Sequence, residues 1–280
     1  MKSVLCSLLV LCSASFISAK NTLKYSMKKG ETLHYKSVSS SDVSMSQGGH
    51  DMSLSSVGTG AVTLQIEDAN ADTFTYLLSL DKFSTTITGA ESMGMSDTTI
   101  EIPELAGKRV RKVQTMFGRE VSSVMIDTPH FNNQMTSMLA QGSRNMARVL
   151  FDLPDHPVSV DDTWEINRRD TSHTEGGDVV TGVSAKCTYV RDIDTLHHHC
   201  AVVGYIVTIS LAGKMKQNGM EITITGDGSG KGSSYFDYNV GRMIVNLTGV
   251  ELNQQMALSG AQNMVMPQTT TTNTSIVLVE

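Results

Sequence analysis

The chain has 280 residues, a formal net charge of −6 and only 5% aromatic residues. That acidic balance argues against nucleic acid or an anionic lipid surface as the main partner. Abundant Ser, Thr, Gly and Val, with 17 methionines and one tryptophan, fit an extracytoplasmic β protein and not an α/β metabolic enzyme.

The first twenty residues read MKSVLCSLLVLCSASFISAK. Lys2 precedes an apolar run from Val4 to Leu11, and small residues follow as far as Ala19. This is the layout of a secretory signal peptide: a charged start, a short apolar core and a small residue at the cut. Residues 1–19 are therefore expected to be removed, with cleavage between Ala19 and Lys20. The apolar run is too short to span a bilayer comfortably, so no membrane span is expected after removal. Cys12 raises lipid anchoring, but Leu11 stands where that chemistry uses a small residue. The expected location is periplasmic or extracellular.

Residues 20–128 read as a first β unit. Apolar residues alternate at Val62, Leu64 and Ile66, and again at Phe74, Tyr76, Leu78 and Leu80, the period of a half-buried strand. Turn signals such as MKKGE, SQGGHD and EDANAD separate the runs. SLDK (79–82) has a Ser-x-x-Lys spacing, but it sits in an alternating strand without companion motifs. KRVRK (108–112) divides its charges between two strand faces and reads as solvated surface.

Residues 129–154 read as a connecting helix with its linker. Within 131–151, Met135, Met138, Leu139, Met146, Val149 and Leu150 recur at helical spacing. Thr128-Pro129 and Leu153-Pro154 punctuate the two ends. Such a methionine stripe packs on a sheet, or forms an adaptable wall for a hydrophobic small molecule or lipid. Met135, Met138, Leu139 and Met146 are the candidate ligand contacts.

Residues 155–280 read as a second β unit, with Trp164 anchoring its start. SAKCTYVR, DIDT and LHHHCAVV are read as strand, turn and strand. Opposing Arg191 to Leu196 places Cys187 opposite Cys200, within the reach of a disulfide. The same alternation parts His197 and His199 from His198, so no metal site is expected. KQNGM carries Asn218-Gly219, suited to a tight hairpin. GDGSGKGSS (226–234) fails as a phosphate loop, because Gly232 follows Lys231, and is read as a flexible connection. No cofactor motif or catalytic constellation is found.

A weak repeat relates GETLHY (30–35) to DDTWEI (161–166), and FGREV (117–121) to VGRMI (240–244). The expected fold is mainly β: two duplicated, antiparallel, twisted sheet units, merging into one curved sheet or half-barrel or standing apart, with the amphipathic helix on them. LKYSMKKGETLHYKSV, LPDHPVSVDDTWEI and YFDYNVGRMIVNLTGVELNQQM resemble elements of a bacterial secreted family catalogued only as a domain of unknown function. That resemblance implies a periplasmic or surface-exposed protein and supplies no catalytic residues. At the level of fold analogy, a twisted sheet with an apposed helix also looks like envelope lipoprotein and lipid carriers. The expected task is non-enzymatic: binding or carrying a hydrophobic ligand in the cell envelope. The alternative is a structural or interaction module whose partner is an envelope protein.

Overall fold

The computed structural model describes residues 20–47, 50–89, 96–127, 149–174, 176–217, 220–259 and 263–279. The first half supplies strands β1 (Thr32–Gln47), β2 (His50–Ala69), β3 (Thr73–Thr88), β4 (Thr98–Glu101), β5 (Lys108–Thr115) and β6 (Glu120–Met125). The second half supplies β7 (Thr163–Thr174), β8 (Gly177–Thr195), β9 (His198–Gln217), β10 (Met220–Asp237), β11 (Arg242–Ser259) and β12 (Met264–Val279). All twelve join one antiparallel sheet in the order β6-β5-β3-β2-β1-β12-β11-β10-β9-β8-β7, with β4 beside β3. The pairing of β1 with β12, from His34↔Val279 to Met45↔Gln268, joins the two halves into a single sheet.

No α-helix occurs among the described residues; a short 3-10 turn covers Pro103–Leu105. The helix expected over 131–151 falls almost wholly outside the described residues, and so do Met135, Met138, Leu139 and Met146. Its last three positions, 149–151, are irregular, and Val149 and Leu150 are buried.

Two extended segments fill one end of the sheet. In the first, Leu23, Tyr25 and Met27 alternate inward and are buried, before β1 begins. Tyr25 packs edge-on against Phe236 at 5.2 Å and tilts on Phe74 at 6.0 Å. Its hydroxyl donates to the Phe151 carbonyl at 2.9 Å and accepts from the Phe151 amide at 3.0 Å. That amide belongs to the second segment, which runs from 149 to 162 and buries Leu153 and Val158. Each fully buried side chain of this size contributes about 1.5–3 kcal/mol. A half-buried ion pair fastens the first segment: Arg242 Nη2 meets both Glu31 carboxylate oxygens at 2.5 Å. Arg242 Nη1 donates to the carbonyls of Ser26, Val240 and Gly241.

The β8–β9 hairpin corrects the expected register. Its turn is Leu196-His197, both with positive φ (48° and 64°), not DIDT. Thr195 therefore faces His198, and Asp194 faces His199. A bulge between Tyr189 and Arg191 shifts the register further up the hairpin. Cys187 then faces Tyr205, and Cys200 faces Ile193. The cysteines stand far apart along the sheet, both free and fully buried. The expected bridge fails because the turn lies nearer His198 than Asn- and Asp-based turn preferences suggest.

A second correction concerns 226–232. This stretch is not a loop but the middle of β10, paired on both sides without a break. Gln217 pairs with Met220; the expected turn residues Asn218 and Gly219 lie outside the described residues.

Candidate functional site

Strand alternation carries the core face outward to the far end of the sheet. On β1 the residues in line with buried Leu33 and Tyr35 lead to Met45. On β12 those in line with buried Ile276 lead to Met266 and Met264. The register sets them beside like residues. One row reads Met266, Met256, Ile224 and Gly213 across β12, β11, β10 and β9. The next reads Met264, Leu258, Ile222 and Met215. Met45 faces Met52 on β2. All of these methionines are partly exposed, as are Ile222, Ile224 and Leu258.

This inner-face patch is a set of polarizable, unbranched side chains that re-pack around varied shapes. Sequence reading assigned that role to the helical stripe and missed this one. Its signal was present: Met264 and Met266 are two apart, the strand period, and Met45 and Met52 flank a hairpin.

The outward face carries rows of polar residues. Along β10 it carries Thr225, Asp227, Ser229 and Lys231, and along β12 Thr269, Thr271 and Asn273. The same face also exposes Val38, Val57, Ile206, Leu247 and Val265, so it mixes these polar rows with apolar side chains.

The glycines of GDGSGKG explain how the sheet bends. Gly226, Gly228, Gly230 and Gly232 alternate onto the inner face of β10, each opposite a β11 residue. A Cβ at Gly228 would stand 2.6 Å from the Glu251 carbonyl oxygen, and one at Gly226 2.8 Å from that of Asn253. The row is a crease, where bare backbone lets β11 fold inward over β10. The ring of Tyr205 occupies the space above Gly232. Its hydroxyl lies 2.5 Å from Thr248 Oγ1, 2.9 Å from Asn246 Oδ1 and 3.0 Å from the Leu247 carbonyl.

Among the described residues the strands at the two ends of this order, β6 and β7, are each paired on one side only. A cleft of about 480 Å³ is lined by Arg119 and Glu120 at the start of β6, Asp152 and Leu153 of the crossing segment, and the length of β7 from Trp164 to Asp170. The Leu153 amide donates to the Phe117 carbonyl at 2.8 Å, which ties the crossing segment to the β5–β6 turn. Arg168 Nη1 lies 3.6 Å from Asp152. Two buried donors here have no hydrogen-bond partner, Trp164 Nε1 and Arg168 Nε.

KRVRK divides as expected on its outer side, where Arg109 pairs with Asp127 and Arg111 with Glu67, both at 2.7 Å. These contacts hold the two carboxyls below their usual range and are exposed. Lys112 departs from the solvated reading: it faces inward, is buried, and pairs with Glu120 at 2.9 Å.

The histidine cluster resolves into carboxylate contacts. His198 Nδ1 lies 2.9 Å from Asp237 Oδ2, and His199 Nδ1 lies 2.6 Å from Asp194 Oδ1. The Asp194 contact raises the His199 pKa. Among the described residues no three His, Cys, Asp or Glu side chains gather as a metal site requires. Cys200, His198 and Asp237 are neighbours of the kinds found in thiol catalysis. Burial, however, pushes the Cys200 thiol up to about 12, the reverse of an activated nucleophile.

No family model matches the chain, and no curated protein matches it. Among solved structures it is similar to an outer membrane channel from Pseudomonas putida F1 at 11% identity. That alignment covers 91% of this chain and 98% of the other, with a TM-score of 0.28. It is also similar to Pseudomonas aeruginosa OccK5 (OpdH) at 7% identity, covering 90% and 99%, with a TM-score of 0.25. Salmonella typhi OmpF in complex with daunomycin aligns at 9% identity over 88% and 98%, with a TM-score of 0.26. Likenesses this weak carry no argument about the task of this chain.

Proposed function

We propose that the protein is an exported, non-enzymatic binder that holds a hydrophobic ligand against the methionine-rich end of its inner face. The observation that carries this is the pair of register rows at the far end, Met266–Met256–Ile224 and Met264–Leu258–Ile222–Met215, partly exposed on an otherwise polar strand end. Apolar area left in contact with water gains about 25 cal/mol per Å² when a ligand covers it. The signal-peptide layout of 1–19 supports placement in the cell envelope or outside it. The repeated motifs fit a duplication: GETLHY and DDTWEI lead into β1 and β7, and FGREV and VGRMI span the β5–β6 and β10–β11 turns.

The test is mass spectrometry of small molecules co-extracted with mature protein from its native host. Stoichiometric acyl lipid is the expected result. A ligand-free protein that takes up no apolar probe would sink the reading. The one-sided pairing of β6 and β7 favours the alternative, an interaction module that pairs strands with an envelope protein. In that case a protein, and no lipid, co-purifies.

A further inference from the structure

We infer that the cleft between β6 and β7 receives the acceptor oxygen of an acyl ligand's head group, with Trp164 and Arg168 as the donors. This rests on the proposal that the inner face holds a hydrophobic chain. Indole N–H and guanidinium N–H can only donate. Both residues line this cleft, and both nitrogens are buried without an acceptor; a buried donor left unpaired costs about 1–3 kcal/mol. An oxygen arriving from a ligand removes that penalty, whereas a donor group does not.

The charges around the cleft are close to balanced. Asp152 faces Arg168 at 3.6 Å, Arg119 pairs with Asp155 at 3.0 Å, and Lys112 pairs with Glu120 at 2.9 Å. The shared chemistry is therefore a carbonyl-type acceptor, supplied by a carboxylate or by an ester. A path for the chain begins beside the head site. Trp164 and Arg168 lie on the inward-facing row of β7, and Arg168 faces Val183, which faces Ile209. Two residues further along β9 stands Leu211, and then the register reaches Gly213 and Met215 of the methionine patch. In the plane of the sheet Arg168 stands two strand spacings, roughly 10 Å, and four residues of strand, roughly 13 Å, from Gly213 at the edge of that patch, about 16 Å in all, within reach of a long acyl chain.

Trp164 is the only tryptophan, so tryptophan emission, excited at a wavelength that tyrosine does not absorb, reports on this cleft alone. Mature protein would be titrated with tetradecanoate, its methyl ester and tetradecyltrimethylammonium, three heads on one tail. The expected result is a saturable emission change with the carboxylate or the ester, and at least tenfold weaker binding of the ammonium. Whichever of the two acceptors binds tighter identifies the source of the oxygen. Arg168→Gln is expected to weaken the preferred ligand about tenfold while leaving the ammonium unchanged. If that variant does not fold, Arg168→Lys keeps the charge and removes the Nε donor. Equal affinity for all three heads overturns the head-group site and leaves the hydrophobic surface standing. So does uptake of an apolar dye at the far end with no change at Trp164. Binding of none of these, dye included, overturns both.

Discussion

At the scale of single residues, two thiols and one guanidinium carry the clearest consequences. Cys187 and Cys200 are fully buried, and burial pushes both thiols up to about 12. Near pH 8 each is a neutral, covered thiol and not a nucleophile. Folded mature protein is expected to take up no iodoacetamide, and denatured protein without reductant two equivalents, read by intact mass. A denatured chain with no uptake would mean the two are bridged after all. Arg242 joins the first segment to the β10–β11 turn through Glu31 and three carbonyls. Removing Arg242 leaves a half-buried carboxylate and the Ser26 carbonyl without their donor, so Arg242→Met is expected to lower stability by about 1.5–3 kcal/mol. Adding Glu31→Met to that variant recovers part of the loss, measured by urea unfolding.

At the scale of elements, β10 is the informative strand. Its glycines were visible in the sequence, but GDGSGKG looks like a loop because glycine and aspartate dominate turns. Period-2 spacing was the overlooked signal: every second residue from Gly226 to Gly232 is glycine, which marks one bare face of a strand. A Cβ at Gly230 would overlap the Gly249 carbonyl and stand 2.8 Å from a Val250 methyl carbon. Gly230→Ala is thus expected to destabilise by roughly 1–3 kcal/mol. Ser229→Ala, on the exposed face of the same strand, is expected to stay within about 0.5 kcal/mol. Equal effects at both positions in urea melts would refute the crease.

At the scale of the whole molecule, the all-antiparallel β class was legible, because Val62-Leu64-Ile66 and Phe74-Tyr76-Leu78 alternate without ambiguity and lie in β2 and β3. Strand order was not. Nothing in LHYKSV says that it pairs with SIVLV at the other end of the chain, since β partners at long range are chosen by packing and not by local pattern. The candidate site was half legible for the same reason. Methionines at Met45, Met215, Met256 and Met264 sit on separate strands, and only the register brings them into one patch. The cysteine register failed on one turn, because Leu196-His197 takes a conformation that neither residue advertises.

The pairing of β1 with β12 also sets a timetable. In chain order β1 comes long before β12. Until β12 arrives, β1 paired with β2 holds one neighbour and offers one bare edge. Local hairpins such as β9–β10 close quickly, but the sheet becomes continuous only when Val279 reaches His34. Loop closure over that separation is slow, so the interval is when the chain is most open to pairing with a copy of itself. The middle of the described sheet thus depends on the pairing with the widest separation along the chain.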